Sequence, residues 1–109
     1  MVNFEARTSA GDGRVVVALA GECDLATREQ LTAVLLDAVN QARLVFVDMA
    51  GLTFIDSSGV HSLVIAHHAA KQTGGRVYVL NATGPVAAVL ELTGLDTLLR
   101  APSEERRHV

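Results

Sequence analysis

Along this chain the spacing of apolar residues changes several times, and each change marks an expected element. Residues 2–8 alternate, with Val2, Phe4 and Ala6 against Asn3, Glu5 and Arg7. A period of two suits a half-buried strand at a sheet edge. Gly11-Asp12-Gly13 is a turn signal, so residues 14–20 are expected to return as the second strand of a hairpin. Val15-Val16-Val17-Ala18-Leu19 is apolar throughout and suits a more central strand. Beyond Gly21 the spacing lengthens. Leu31, Val34, Leu35 and Ala38 follow i, i+3, i+4, i+7, which predicts a helix from Arg28 to about Asn40. Thr27 with Gln30 has the form of a capping box, and Asp24 is a second candidate for the start.

A run of four apolar residues, Leu44-Val45-Phe46-Val47, predicts a strand buried on both faces. Residues 50–55 are expected as a connecting loop in which Leu52, Phe54 and Ile55 plug the space between sheet and helix. The next helix is expected from about Gly59 to Gln72, capped by Ser57 or Ser58, with Val60, Leu63, Val64 and His67 inward. Gly74-Gly75 ends it. Residues 76–80 read as a strand, and Thr83-Gly84-Pro85 opens a helix with the stripe Val86, Val89, Leu90 and Thr93. Residues 95–100 read as a last short strand or extended segment.

The expected order is β-β-α-β-α-β-α-β. Helices with a single apolar stripe must bury it, and a mostly parallel mixed sheet of four to five strands does so. The hairpin adds an antiparallel N-terminal edge. The fold class is therefore α/β, in one domain over residues 1–109. Its core spans about residues 4–100, and residues 101–109 form a short charged tail or partial helix.

Composition narrows the function. The chain has 109 residues, 50% hydrophobic and 19% charged, which suits one compact core and excludes a disordered chain. Its net charge is −3 and no basic tract occurs, so direct nucleic-acid binding is not expected. Apolar runs last only a few residues, so no membrane span is expected. No signal peptide is evident, which makes the cytoplasm the expected compartment. The single cysteine, Cys23, has no internal disulfide partner and is expected to be an inert, semi-buried side chain.

Asp56-Ser57-Ser58-Gly59 stands out because it joins a core strand to a helix start. The polar side chains there satisfy the unpaired N–H groups of a first turn. Two hydroxyls and a carboxylate exceed what one cap requires. A phosphate on a first-turn serine would add about −1.5 to −2 charges beside Asp56 and gain from the helix field. An esterase-type nucleophile is not expected, because no G-x-S-x-G elbow is present. His61, one turn after Ser57, lacks an orienting carboxylate. The histidines His61, His67, His68 and His108 have no metal-ligand spacing, and no phosphate-binding glycine loop occurs. No cofactor is expected.

At these residues the chain resembles the STAS domain family, specifically bacterial anti-sigma factor antagonists. The pieces that carry the resemblance are Gly21-Glu22-Cys23-Asp24, Phe54-Ile55-Asp56-Ser57-Ser58-Gly59-Val60, Gly74-Gly75 and Leu92-Thr93-Gly94-Leu95. They extend over nearly the whole chain. The resemblance implies a regulator that is not an enzyme. Ser57 matches the serine phosphorylated by a partner anti-sigma factor, a kinase that uses ATP. Ser58 matches the neighbouring Ser or Thr. Asp24 and Asp56 match acidic positions of the partner surface, joined here by Gly59 and His61. The unphosphorylated form is expected to bind the anti-sigma factor and free a sigma factor. Phosphorylation breaks that complex, and a serine phosphatase restores it. The unbound protein is expected to be a monomer. The alternative is a constitutive STAS subunit of another complex, such as a lipid-transport system, with the serine cluster acting only as a cap. Three positions depart from the family pattern. Cys23 replaces an aliphatic residue, His61 stands where many relatives have Gly, and the chain after Pro102 is shorter than a full final helix.

Overall fold

The computed structural model describes residues 3–102. The elements are β1 (Phe4–Gly11), β2 (Arg14–Cys23), a 3-10 turn (Leu25–Thr27), α1 (Arg28–Gln41), β3 (Leu44–Ile55), α2 (Ser57–Gln72), β4 (Arg76–Leu80), α3 (Gly84–Thr93) and α4 (Leu95–Leu98). The four strands lie in the order β1-β2-β3-β4. β1 pairs antiparallel with β2, whereas β2–β3 and β3–β4 are parallel. This is the α/β arrangement with an antiparallel N-terminal pair that the periodicity predicts.

The hairpin follows from its turn. Gly11 pairs with Arg14, leaving Asp12 and Gly13 as a two-residue loop with φ of 53° and 76°. Two positive φ values give the turn that matches the twist of the flanking strands. On the next strands odd-numbered residues face one way. Val15, Val17, Leu19, Val45, Val47 and Met49 are buried in one cluster with Leu31, Leu35 and Ala38 of α1 and Leu63, Ala66 and Ala70 of α2. Each fully covered Leu or Val there contributes roughly 1.5–3 kcal/mol of hydrophobic stabilisation. Phe46 faces the other way. It forms a smaller cluster with Leu80 and Ala101, and its ring lies 5.5 Å from Tyr78 and 5.2 Å from the Arg14 guanidinium carbon.

Three expectations change. Residues 50–55 are strand, not loop. β3 continues to Ile55 because its pairing with β2 shifts twice, between Ala18 and Ala20 and between Gly21 and Glu22. Each shift places an extra residue on β3, and such bulges bend a strand without ending it. Leu52 and Ile55 are buried there, as a plug requires, but Phe54 is 44% exposed. Residues 95–100 do not form a strand. Gly94, at φ 79°, ends α3, and a new turn of helix places Leu95 and Leu99 in the core. A spacing of four residues suits a helix and not a strand. What remains of the fifth strand is one bridge, Val79 to Arg100, with the Val79 N–H donating to the Leu99 carbonyl at 2.9 Å. Finally, Thr27 makes no side-chain cap to α1. The expected start of β1 at Val2 and the tail at residues 103–109 lie outside the described residues.

Candidate functional site

The site forms where β2 and β3 end side by side. Cys23 pairs with Ile55, and the Asp56 N–H donates to the Cys23 carbonyl at 3.1 Å. Two turns separated by some thirty residues of chain therefore meet, and the Asp24 and Asp56 turns form one surface. Sequence spacing left that convergence open, and the parallel register decides it.

Each aspartate caps its own turn. Asp24 Oδ1 accepts the Thr27 N–H at 3.2 Å, and Thr27 Oγ1 accepts the Asp24 N–H at 3.0 Å. This reciprocal box closes the 3-10 turn and explains why Thr27 is not available to α1. Asp56 has extended backbone (φ −113°, ψ −170°), and its Oδ1 accepts the Ser58 N–H at 2.8 Å and the Gly59 N–H at 3.4 Å. The cap of α2 is therefore Asp56, which corrects the assignment to Ser57 or Ser58. A carboxylate one residue earlier reaches both first-turn N–H groups. The helix consequently starts at Ser57. Ser57 is exposed and takes no part in the cap, and Ser58 is half-buried.

Gly59 is buried, and its lack of a side chain has a specific cause. A Cβ there would lie 2.6 Å from Ile55 Cγ1 and 3.1 Å from Cys23 Cβ. Glycine lets α2 press onto the ends of β2 and β3. The same closeness shapes the Cys23 environment. Burial, followed by the charges of Asp24 and Asp56, pushes the thiol from 9.0 up to about 12. Cys23 is fully buried, deeper than the semi-buried position expected from sequence.

His61 is exposed on α2, one turn after Ser57. It lines a groove of about 410 Å³ between α1 and α2 with Arg28, Glu29, Thr32, Leu36 and Ile65. Arg28, which enters the sequence reading only as the expected start of a helix, is a neighbour of this surface. The missed signal was Ser62, a hydroxyl in the middle of the α2 stripe. It is fully buried and lies 2.7 Å from the Thr32 hydroxyl, tying α2 to the first turn of α1. His67, by contrast, is buried on α2 away from this surface. Burial, then the charges of His68, Lys71 and Arg76, lowers its pKa. Leu25 is 70% exposed beside the Asp24 cap and adds an apolar edge to the surface, as Phe54 does. Among the described residues no cluster of His, Cys, Asp or Glu is placed to hold a metal ion. No helix among them is long and apolar enough to cross a membrane.

The comparisons with known proteins converge on one family. A model of the STAS domain matches residues 3–107. The anti-sigma F factor antagonist of Lysinibacillus sphaericus is 30% identical over 94 residues, covering 84% of this chain and 80% of that protein. The solved structure of the anti-sigma factor antagonist SpoIIAA in its unphosphorylated form superposes with a TM-score of 0.78 at 27% identity, over 93% of this chain and 91% of that one. Its counterpart from Bacillus in the phosphorylated form gives 0.70 at 26% identity, over 93% and 95%.

Proposed function

The chain belongs to the STAS domain family, and from that premise we propose that it is an anti-sigma factor antagonist switched by phosphorylation of Ser57. The observation that carries this reading is the division of labour at the start of α2. Asp56 supplies the cap, so Ser57 stands exposed on the first turn with no structural task. In its unphosphorylated form the protein binds an anti-sigma factor with serine kinase activity and so releases a sigma factor. The Ser57 Oγ then takes the γ-phosphoryl group of ATP held by the kinase. ADP leaves, and the hydroxyl proton passes to a base of the kinase. A serine phosphatase reverses the change with water, giving inorganic phosphate and the free hydroxyl. The protein itself binds and is modified. It carries out no catalysis.

The residues around Ser57 have separate tasks. Asp24 and Asp56 present carboxylates to the partner, and Ser58 and His61 flank the modified position. Gly59 acts from below, by allowing the close packing that sets the height of the first turn. A phosphate on Ser57 adds a dianion to a surface that already holds two carboxylates, and a closed interface does not accept unpaired charge. Shifting a partner from nearly all bound to nearly all free takes about 5.5 kcal/mol of differential affinity. Charge and steric conflict at the centre of an interface are of that order.

The test is phosphotransfer. Incubation with the cognate anti-sigma kinase and ATP should add one phosphate, mapped to Ser57 by mass spectrometry. Ser57→Asp should weaken binding to the kinase by at least about tenfold, whereas Ser57→Ala keeps it. Equal affinities of the two variants would overturn the charge mechanism. No transfer to Ser57 would favour a constitutive interaction subunit.

A further inference from the structure

The groove between α1 and α2 brings two nitrogen-bearing side chains to the helix turn that follows Ser57. His61 lies four residues after Ser57 on α2. Residues at that spacing are neighbours on a helix surface, with Cβ atoms about 5–6 Å apart. Arg28 reaches the same groove from α1. Its backbone lies against the first turns of α2 through Ser62, whose hydroxyl oxygen is 3.5 Å from the Arg28 carbonyl, 3.3 Å from the Ser58 carbonyl and 2.7 Å from the Thr32 hydroxyl, with its one proton available to a single partner at a time. Both side chains are exposed, so neither is committed to the core.

Resting on the reading of Ser57 as the modified residue, we propose that Arg28 and His61 form a clasp that binds the Ser57 phosphate within the same chain. A guanidinium matches two phosphate oxygens with parallel N–H groups. An imidazole offers at least one N–H in either tautomer. The other charged groups near the first turn of α2 are Glu22 at the end of β2, Asp24 and Asp56 in the two turns, and Glu29 in the groove itself, whereas Asp37 and Lys71 lie farther along α1 and α2. A phosphate turned toward the Asp24 and Asp56 carboxylates is repelled, and one turned toward the α1–α2 groove meets the two donors with Glu29 as the one carboxylate beside them. Phosphorylation thus does more than add charge to the interface. It draws Arg28 and His61 over the first turn of α2, so the modified face differs in shape as well as charge. The clasp would also explain why a large nitrogen-bearing side chain stands at position 61.

The test separates this inference from the kinase reading by installing phosphoserine at position 57 during translation, with no kinase involved. The readout is the 31P NMR titration of that phosphate, compared with its ordinary midpoint of about 6. The clasp favours the dianion, so the wild-type midpoint should lie at least about half a unit below that of the Arg28→Gln/His61→Gln variant, a roughly threefold change in proton affinity. Arg28→Lys should keep part of the shift. Superimposable titrations of the wild type and the double variant would overturn the clasp, even if a kinase modifies Ser57. A wild-type midpoint lying below that of the double variant would uphold it, even if no kinase transfers phosphate to Ser57.

Discussion

At the scale of single residues, the environment of Cys23 makes a sharp prediction. Its thiol is fully buried beside two carboxylates and titrates at about 12. At pH 8 it should resist an alkylating reagent in the native protein and react readily once the chain is unfolded. Rapid native labelling would contradict the packing at the ends of β2 and β3. The shift also bears on stability. A thiol that ionises at 9.0 when unfolded and near 12 when folded stabilises the native state fully below pH 9. Between those values the unfolded state loses its proton first, so stability falls by about 1.4 kcal/mol per pH unit. His67 works in the opposite direction. Its folded pKa is lowered by burial and by His68, Lys71 and Arg76, so the unfolded chain takes up a proton first as pH falls below 6.5. Its contribution is present above pH 6.5 and is lost on acidification. Melting temperatures measured from pH 7.5 to 5.5 should therefore drop, with a shallower slope in His67→Gln. Identical slopes would show that His67 does not set the acid limit.

At the scale of elements, the contact between α2 and the sheet depends on Gly59. A methyl group there meets Ile55 and Cys23, both of them buried and unable to swing away. Gly59→Ala should destabilise the fold by about 1–3 kcal/mol, the usual cost of overpacking, read from the denaturant midpoint. It should also weaken partner binding by displacing the first turn. A neutral substitution would mean that α2 is free to shift. The elements themselves were largely legible from sequence. Repeats such as Leu31, Leu35 and Ala38 depend on burial alone, and those residues are fully buried. What escaped depended on pairing between distant segments. The register of β2 against β3 turned the expected loop at residues 50–55 into a bulged strand. Asp56 took the cap from the serines because of its extended backbone. Arg28 joined the site through the hydroxyl of Ser62, which no local period reveals. Ser57 was legible because a polar cluster at a strand–helix junction is uncommon, and its surroundings were not, because they come from another turn of the chain.

At the scale of the whole molecule, one edge of the sheet has a consequence for how partners are recognised. The Leu99 carbonyl takes the Val79 N–H, and the Arg100 bridge lies along β4. The outer side of that strand is thus partly occupied by the chain itself. The opposite edge strand, β1, carries Glu5 and Arg7 on its exposed positions, and charges on an edge oppose strand addition. Backbone pairing reads little sequence, so a partner that extended the sheet would bind many STAS domains alike. With both borders guarded, discrimination passes to side chains at the strand ends. If the Ser57 surface is the partner face proposed above, insulation between parallel signalling circuits built on this fold rests on few exposed positions, among them Leu25 and His61, and new specificity can evolve there without disturbing the core.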